Sequence, residues 1–186
     1  MRHHHCSPYI ICLQNYATPI LFQKKVDDSL RICVDYYALN KVTIKNTYLV
    51  LMVQNLMDRL SGASIFMKLD FRSGYWQVRI AKGHKYKMTF MTRCDSNVSL
   101  VMLFGLTNAL TTFCNLMNDI LYKFLDEFMV MYLDDIVVFS TSMKDHVVHL
   151  SRVLSRLRKY KLFIKKDKCD FACSEIIFLG HLVSMG

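Results

Sequence analysis

The chain has 186 residues, of which 53 % are hydrophobic and 21 % charged, and this balance excludes intrinsic disorder, which needs few apolar residues and many charges. The six glycines and two prolines exclude collagen-like and low-complexity classes, yet they are few for an ordered chain that must reverse direction often. Lysine and arginine number 24 against 15 acidic residues, so the formal net charge is +9 and polyanions are plausible partners for the one ordinary domain that this length favours.

Alternating and periodic apolar residues predict the elements of the first half of the chain. Two apolar, β-branched runs at 19–23 and 30–36 flank a polar turn and predict a β-hairpin with a basic tip. Helical spacing at 53–60 predicts a helix that ends before Gly62. Alternation over 64–69 predicts a half-buried strand with Asp70 at its exit.

The second half begins with the strongest helical pattern, at 108–127. Two apolar runs separated by Asp134 and Asp135 predict a second hairpin with a two-residue acidic link. A further amphipathic helix is predicted at 143–160, capped by Ser142, and strand-like runs follow at 163–165 and 176–183. This order predicts an α+β fold with an antiparallel sheet backed by helices.

Charge, cysteines and hydropathy restrict the partners. Segments 40–93 and 141–170 are basic and the segment between them is acidic, which suits a polyanion held over a metal-binding carboxylate site, although a solvated basic surface explains it equally well. Seven scattered cysteines favour reduced thiols over disulfides. Cys169, Cys173 and His181 are too few for a zinc site of ordinary spacing. The uncharged runs near the N-terminus and at 96–118 are too polar to predict a signal peptide or a membrane span.

Three aspartates form the strongest chemical pattern. Asp134 and Asp135 could be an ordinary acidic turn, but an exposed turn needs no apolar run on both sides. With Asp70 at another strand end, one sheet could bring three carboxylates together. Such a cluster suits two divalent metals about 3.5–4 Å apart, and oxygen ligands favour Mg²⁺. One ion would activate a primer 3′-hydroxyl and the other would hold a triphosphate.

Five ordered segments together resemble the reverse transcriptase of gypsy-type long-terminal-repeat retrotransposons, in plant-like form. They resemble the fingers (30–36 and 38–43), the first catalytic motif (68–75 with Gln77), the template-contacting segment (104–109), the Y-x-D-D motif (132–135) and the primer grip (178–181).

The resemblance implies a right-hand polymerase, with fingers at 1–60 and 82–103 and palm at 61–81 and 104–186. The palm would carry the Y-x-D-D hairpin and the start of the primer grip. The thumb would be absent from this chain. It would follow Gly186 in the Pol polyprotein, as would the RNase H and integrase parts. The implied reaction is RNA-directed DNA synthesis with two Mg²⁺ ions, or Mn²⁺ as a substitute, from dNTPs on a primed RNA or DNA template. The expected location is intracellular, in a cytoplasmic particle or the nucleus, and off the membrane.

The resemblance also implies a role for each site residue. The metal ligands and catalytic residues would be Asp70, Asp134 and Asp135. The nucleotide would be bound by Arg31, by Lys25 or its neighbour Lys24, by Tyr75 as a steric gate, and by Phe104 and Gly105. Tyr132 and Leu133 would support the hairpin, and Lys168 would be a general acid or simply a solvated lysine. The primer grip would comprise Phe178, Leu179, Gly180 and His181.

Several positions depart from the family pattern. Tyr37 replaces a usual arginine, and others replace prolines or glycines: Asp28, Leu49, Leu51, Asp95, Leu103 and Leu110. Most of these changes, though not all, fit single C-to-T transitions, which suggests a decayed genomic copy; the coding DNA would test this. The leading function is therefore RNA-directed DNA polymerase by descent. A catalytically silent, nucleic-acid-binding remnant is the alternative, and Tyr75 disfavours an RNA-polymerising relative.

Overall fold

The protein forms two compact units, each built from two separate stretches of chain. The computed structural model describes residues 18–24, 28, 30–48, 52–92, 95–133 and 135–184. The first unit comprises residues 1–46 and 75–109, and the second comprises 47–74 and 110–186. In chain order the strands and helices are β1 (Thr18–Lys24), β2 (Leu30–Val34), α1 (Tyr37–Val42), α2 (Val53–Leu60), β3 (Ile65–Leu69), β4 (Thr89–Met91), β5 (Ser96–Val98), α3 (Ala109–Leu121), β6 (Met129–Tyr132), β7 (Asp135–Ser140), α4 (Met143–Lys159), β8 (Asp170–Cys173), β9 (Glu175–Phe178) and β10 (His181–Ser184).

The first unit is built on a four-stranded sheet in the order β2-β1-β4-β5. Strands β1 and β2 pair antiparallel, with Ile20 opposite Val34, which confirms the predicted hairpin. Strand β4 joins β1 in parallel, a pairing that the sequence pattern did not indicate. The core of this unit includes Val34, Tyr36 and Leu39, and burial raises the pKa of Tyr36 to about 12.

The second unit is built on an antiparallel sheet in the order β6-β7-β3-β8, together with the β9–β10 hairpin. Strand β3 lies between β7 and β8, so a strand pairs with each of its two edges. Phe66, Met67 and Leu69 are all fully buried, and successive side chains of a strand lie on opposite faces. The prediction that only one face of this strand is buried is therefore wrong at Phe66, on the second face. On that face Phe66 packs with Leu56 and Leu60 of α2.

The helices follow their apolar spacing closely. Helix α2 has the predicted bounds, and α4 ends one residue before the predicted Tyr160. Ser142 caps α4 by accepting the Asp145 N–H at 3.2 Å, as the sequence predicts. Helix α3 ends at Leu121, six residues early, and the turn that follows it includes Asp126 with a left-handed φ of 72°.

The C-terminal segment differs most from prediction. Residues 163–165 form no strand and contribute only an isolated bridge between Ile164 and Phe71. The predicted run at 176–183 is a hairpin, β9–β10, that turns at Leu179 and Gly180, both with positive φ. Strand β8 was not predicted, because its residues are mostly exposed and show no apolar alternation. No helix in the described ranges combines the length and apolar character needed to cross a membrane.

Candidate active site

Two of the three predicted metal ligands meet at one end of the second unit's sheet. Strands β3 and β7 pair in register through Leu69 and Ile136. Continuing this register by one residue brings Asp70 opposite Asp135, and opposite residues of an antiparallel pair share a face. The two side chains are about two-fifths exposed, at 41 % and 38 %. The sheet therefore presents two carboxylates side by side at its solvent edge.

The Y-x-D-D turn is shifted by one residue from the prediction. Tyr132 pairs with Asp135, so Asp135 already belongs to β7, and Leu133 is the turn residue that follows β6. Leu133 has a φ of 56°, a conformation that costs a residue with a branched side chain about 1–2 kcal/mol. Cys114 donates its thiol to the Leu133 carbonyl at 3.6 Å. Asp134, the third predicted ligand, lies outside the described residues.

A lysine accompanies each described carboxylate. Lys68 Nζ lies 3.3 Å from Asp135 Oδ1 and Lys168 Nζ lies 4.0 Å from Asp70 Oδ2. Lys168 was predicted as a possible general acid, whereas the ion pair of Lys68 with Asp135 was not predicted. The signal was available, because Lys68 and Asp70 are two residues apart on one strand and so share a face.

The backbone of Asp70 is held by the segment 165–169. The Lys165 N–H donates to the Asp70 carbonyl at 2.9 Å, and the Asp70 N–H donates to Cys169 Sγ at 3.4 Å. The Cys169 thiol in turn donates to the Lys165 carbonyl at 3.3 Å. Burial raises the pKa of Cys169, and the nearby Asp70 and Asp170 charges add to the shift, so the group is a thiol at neutral pH. These contacts join positions about 95 residues apart, beyond the reach of sequence spacing.

The donor set fits a hard divalent cation. Carboxylate oxygens are the ligands of Mg²⁺ and Mn²⁺, and Asp70 and Asp135 supply them at an accessible edge. Two ammonium groups already supply positive charge at that edge, as expected where carboxylates crowd together. Among the described residues, no three His, Cys, Asp or Glu side chains are grouped so that they could hold a metal ion. A three-carboxylate cluster would need Asp134.

In the first unit, three of the predicted nucleotide-binding residues lie together. The Tyr75 and Phe104 rings pack edge to face with their centroids 4.9 Å apart. Phe104 forms a bridge to Cys33 of β2, and Gly105 follows with a φ of 102°. A Cβ atom at Gly105 would lie 2.3 Å from the Val34 carbonyl oxygen, so only glycine fits this close backbone approach.

Asn40 fixes this segment and was missed as a site residue. Its side-chain amide donates to the Gly105 carbonyl at 2.7 Å, and its Oδ1 accepts the Thr107 N–H at 2.9 Å. One side chain therefore orients both ends of a short loop. The sequence offered only its place in the fingers-like segment as a signal.

The remaining predicted residues are dispersed. Lys24 ends β1 and forms an exposed ion pair with Asp28 at 2.6 Å. Arg31 lies in β2 opposite Gln23, and its side chain, like all of Lys25, is outside the description. In the predicted primer grip, Phe178 is fully buried in the core of the second unit, while Leu179 and Gly180 form the turn and His181 is exposed. Whether these residues grip a primer stays a prediction.

Comparison with known proteins decides the family. Residues 23–183 match the family model for reverse transcriptase (RNA-dependent DNA polymerase). The chain belongs to the reverse transcriptase family. It is 60 % identical over 125 residues to an RNA-directed DNA polymerase homolog of the plant Oenothera berteroana, covering 66 % of this chain and 88 % of that protein. It is 36 % identical over 170 residues to the Tf2-3 transposon polyprotein of Schizosaccharomyces pombe, covering 90 % of this chain and 13 % of the polyprotein. Tf2 elements are of the gypsy type, so the resemblance read from the motifs is confirmed.

Solved reverse transcriptases share the fold. The foamy viral protease-reverse transcriptase in complex with double-stranded DNA superposes with a TM-score of 0.83 at 22 % identity, covering 90 % of this chain and 29 % of that chain. The same viral protein in complex with an RNA/DNA hybrid gives a TM-score of 0.80 at 22 % identity, covering 90 % and 22 %. The α+β fingers-and-palm class is thereby confirmed. The exact limits of fingers and palm along this chain stay a prediction.

Proposed function

We propose that this chain is the nucleotidyl-transfer part of an RNA-directed DNA polymerase. One observation carries the proposal: Asp70 follows the last residue of β3, Asp135 is the first residue of β7, and the β3–β7 register, continued by one residue, puts the two opposite each other. The proposed reaction adds a dNTP to a primer 3′-hydroxyl on an RNA or DNA template. The chain spans only 13 % of the Tf2 polyprotein, so a thumb, an RNase H and an integrase part are proposed partners in cis.

Within the second unit, we assign the acidic edge to metal binding. Asp70 and Asp135, with Asp134, would hold two Mg²⁺ ions, which supply the charge that ionises the primer hydroxyl and stabilises the leaving pyrophosphate. The hydrogen bonds from Lys165 and to Cys169 hold the Asp70 backbone in place before a ligand binds. Lys168 is assigned to proton donation toward the leaving group, a role worth about 10²–10⁴-fold in rate.

Within the first unit, we assign the nucleotide contacts on the family resemblance. Arg31 and the hairpin lysine, Lys24 or Lys25, would contact the triphosphate, since guanidinium and ammonium groups suit phosphate oxygens. Tyr75 would exclude a 2′-hydroxyl, and its packing on Phe104 supports a fixed ring position. Gly105 would let the backbone approach the template and nucleotide.

Primer extension tests the proposal directly. The 186-residue chain is incubated with a primed RNA or DNA template, dNTPs and Mg²⁺ or Mn²⁺, beside Asp70→Asn, Asp135→Asn and the exposed control Asp119→Asn. Loss of a metal ligand removes several kcal/mol of transition-state stabilisation, so extension should fall at least about 10³-fold in the first two variants. The control should extend like the parent. Equal extension by Asp70→Asn would exclude the proposed site.

A silent remnant that binds nucleic acid is the second candidate, and the fingers tip favours it. Asp28 sets a carboxylate 2.6 Å from Lys24, one of the two lysines assigned to the triphosphate. A neutralised lysine attracts phosphate weakly. Template binding by the parent chain without extension in either metal would identify the remnant, and extension by the parent chain would exclude it. Recovery of extension in Asp28→Gly would assign the loss of activity to Asp28.

A further inference from the structure

A basic groove on the second unit has no part in the proposed polymerase site. It lies between α4 and the turn that follows α3, and its volume is about 380 Å³. Its walls combine three cationic side chains, two hydroxyl groups and one aromatic ring: Phe124, Ser151, Arg152, Ser155, Arg156 and Lys159. The α4 members recur at three- and four-residue intervals, so they form one continuous stripe on the helix.

The two guanidinium groups are fixed by the protein itself. Arg152 lies over the rings of Phe124 and Phe128, with its Cζ atom 5.3 and 5.0 Å from their centroids. Arg156 donates from Nε to the Ile120 carbonyl at 2.8 Å and lies 4.9 Å from the Tyr160 ring centroid. Side chains that are already ordered lose less conformational entropy when a ligand binds. The groove is therefore prepared for a ligand of opposite charge.

Among the residues that the structure describes, no ion pair offsets the positive charge of the groove. The ion pairs found among the described residues involve Lys24, Arg59, Lys68 and Lys168, and none involves Arg152, Arg156 or Lys159. The planar fork of a guanidinium matches phosphate or carboxylate oxygens in pairs. The stripe from residue 152 to 159 extends about 10 Å along the helix axis, enough to meet more than one anionic group at once.

We propose that this groove binds the phosphodiester backbone of nucleic acid, as a site separate from the polymerase carboxylates. A chain of net charge +9 attracts polyanions, and the stripe offers several contacts in a row. The Phe124 and Phe128 rings are buried beneath Arg152 and cannot stack on bases. Binding should therefore depend on phosphates alone, independent of sequence and sensitive to salt. It does not require polymerase activity.

The test compares two variants with equal loss of charge in or just after α4. Arg152→Gln/Arg156→Gln removes the fixed guanidiniums, and Arg158→Gln/Lys161→Gln removes two exposed cations outside the groove. Fluorescence anisotropy with the 186-residue chain and a labelled 20-nucleotide single strand is recorded across a salt series. We expect at least a tenfold loss of affinity in the groove variant, and a salt slope lower by about 0.7 per lost contact. Affinity loss that is equal in both variants would overturn the proposal.

A third variant separates geometry from charge. Arg152→Lys/Arg156→Lys keeps the net charge but loses the planar fork and the Arg156 bond to the Ile120 carbonyl. We expect a several-fold loss of affinity in a variant that still unfolds cooperatively in a thermal scan. Parent-like affinity would show that only charge matters and would overturn a built site. Poly-glutamate serves as the competing polyanion. Release of the labelled strand by poly-glutamate at charge concentrations equal to those of unlabelled DNA would assign the groove to acidic protein instead.

Discussion

At the scale of single residues, the backbone conformation separates glycines that are required from glycines that are tolerated. A Cβ at Gly105 meets the Val34 carbonyl oxygen at 2.3 Å, while at Gly83 it meets nothing within 4 Å, although both residues have positive φ. Gly105→Ala should therefore cost about 3 kcal/mol or more, because backbone must move, and Gly83→Ala about 1 kcal/mol. Urea unfolding of both variants checks the difference. Equal losses would show that the close approach at Gly105 does not exist.

Asp28 has a backbone conformation that favours glycine over a residue with a side chain. It has a φ of 59° at the fingers tip, where the family pattern has glycine. Asp28→Gly should stabilise the chain by about 0.5–1 kcal/mol, since the exposed Lys24 ion pair that it loses contributes little. Thermal unfolding of this variant is compared with that of Asp28→Ala, which loses the same ion pair but keeps a Cβ. A gain shared by both variants would point to charge rather than to backbone strain.

The site residues show what the sequence could and could not predict. Asp70 was predicted at the exit of an apolar strand and Asp135 in the link between two apolar runs, and the β3–β7 register puts the two on adjacent strands. That they hold a metal stays a prediction. The turn was misplaced by one residue because aspartate is a typical turn residue, whereas the structure puts Leu133 in the strained position. The contacts of Lys165 and Cys169 with Asp70 could not be predicted from the sequence, because these residues lie far from Asp70 along the chain.

At the scale of elements, apolar spacing predicted the helices and failed where a strand is exposed. Helix α2 matches its prediction because Leu56 and Leu60 repeat at four residues and both are fully buried. In α4 the bounds agree with the prediction to within one residue, but Val147 is exposed and the polar His146 is buried. A hydropathy pattern cannot predict that histidine is buried and the neighbouring valine exposed, because the burial of His146 depends on a hydrogen-bond partner in β7.

That partner makes α4 sensitive to pH. Ser140 Oγ of β7 lies 3.1 Å from Nδ1 of His146 and 2.8 Å from Nδ1 of His149. Burial lowers the pKa of His146, and His149 adds to the shift. In the unfolded chain, His146 binds a proton near its ordinary pKa of about 6.5, whereas in the folded chain it does so only at lower pH. The free energy of unfolding is therefore full above pH 6.5 and falls as the pH drops below it.

The expected slope is at most about 1.4 kcal/mol per pH unit for this one group. Urea unfolding between pH 7.5 and 5 measures it in the parent chain. His146→Gln should flatten the slope, and the exposed control His181→Gln should leave it unchanged. A slope that persists in His146→Gln would assign the pH dependence to other groups.

At the scale of the whole molecule, apolar side chains remain exposed in both units. In the β9–β10 hairpin, Ile177 and Leu182 form a cross-strand pair that is 66 % and 65 % exposed, on the face opposite the buried Ile176 and Phe178. Exposed apolar pairs on a strand favour association between chains. We expect the isolated chain to elute from a size-exclusion column as heterogeneous oligomers.

A matched pair of variants tests the cause. Ile177→Thr/Leu182→Thr should raise the monomeric fraction without lowering the unfolding midpoint, whereas Ile176→Thr should lower the midpoint by removing a buried side chain. A monodisperse parent chain would contradict the expectation, and so would association that is unchanged in the double variant.

The interleaving of the two units has a consequence for synthesis on the ribosome. Strand β3 ends at Leu69, but its neighbours β7 and β8 end at Ser140 and Cys173, after the first unit's second stretch has been made. At about 5–20 residues per second, the nascent β3 waits roughly 5–20 s for its second neighbour. Phe66 can pack on α2, which is made before it, but Met67 and Leu69 lack part of their final surroundings throughout that interval. Chaperone binding to the nascent chain should therefore centre on β3, and translation that stops before Cys173 should leave this strand without its neighbour β8.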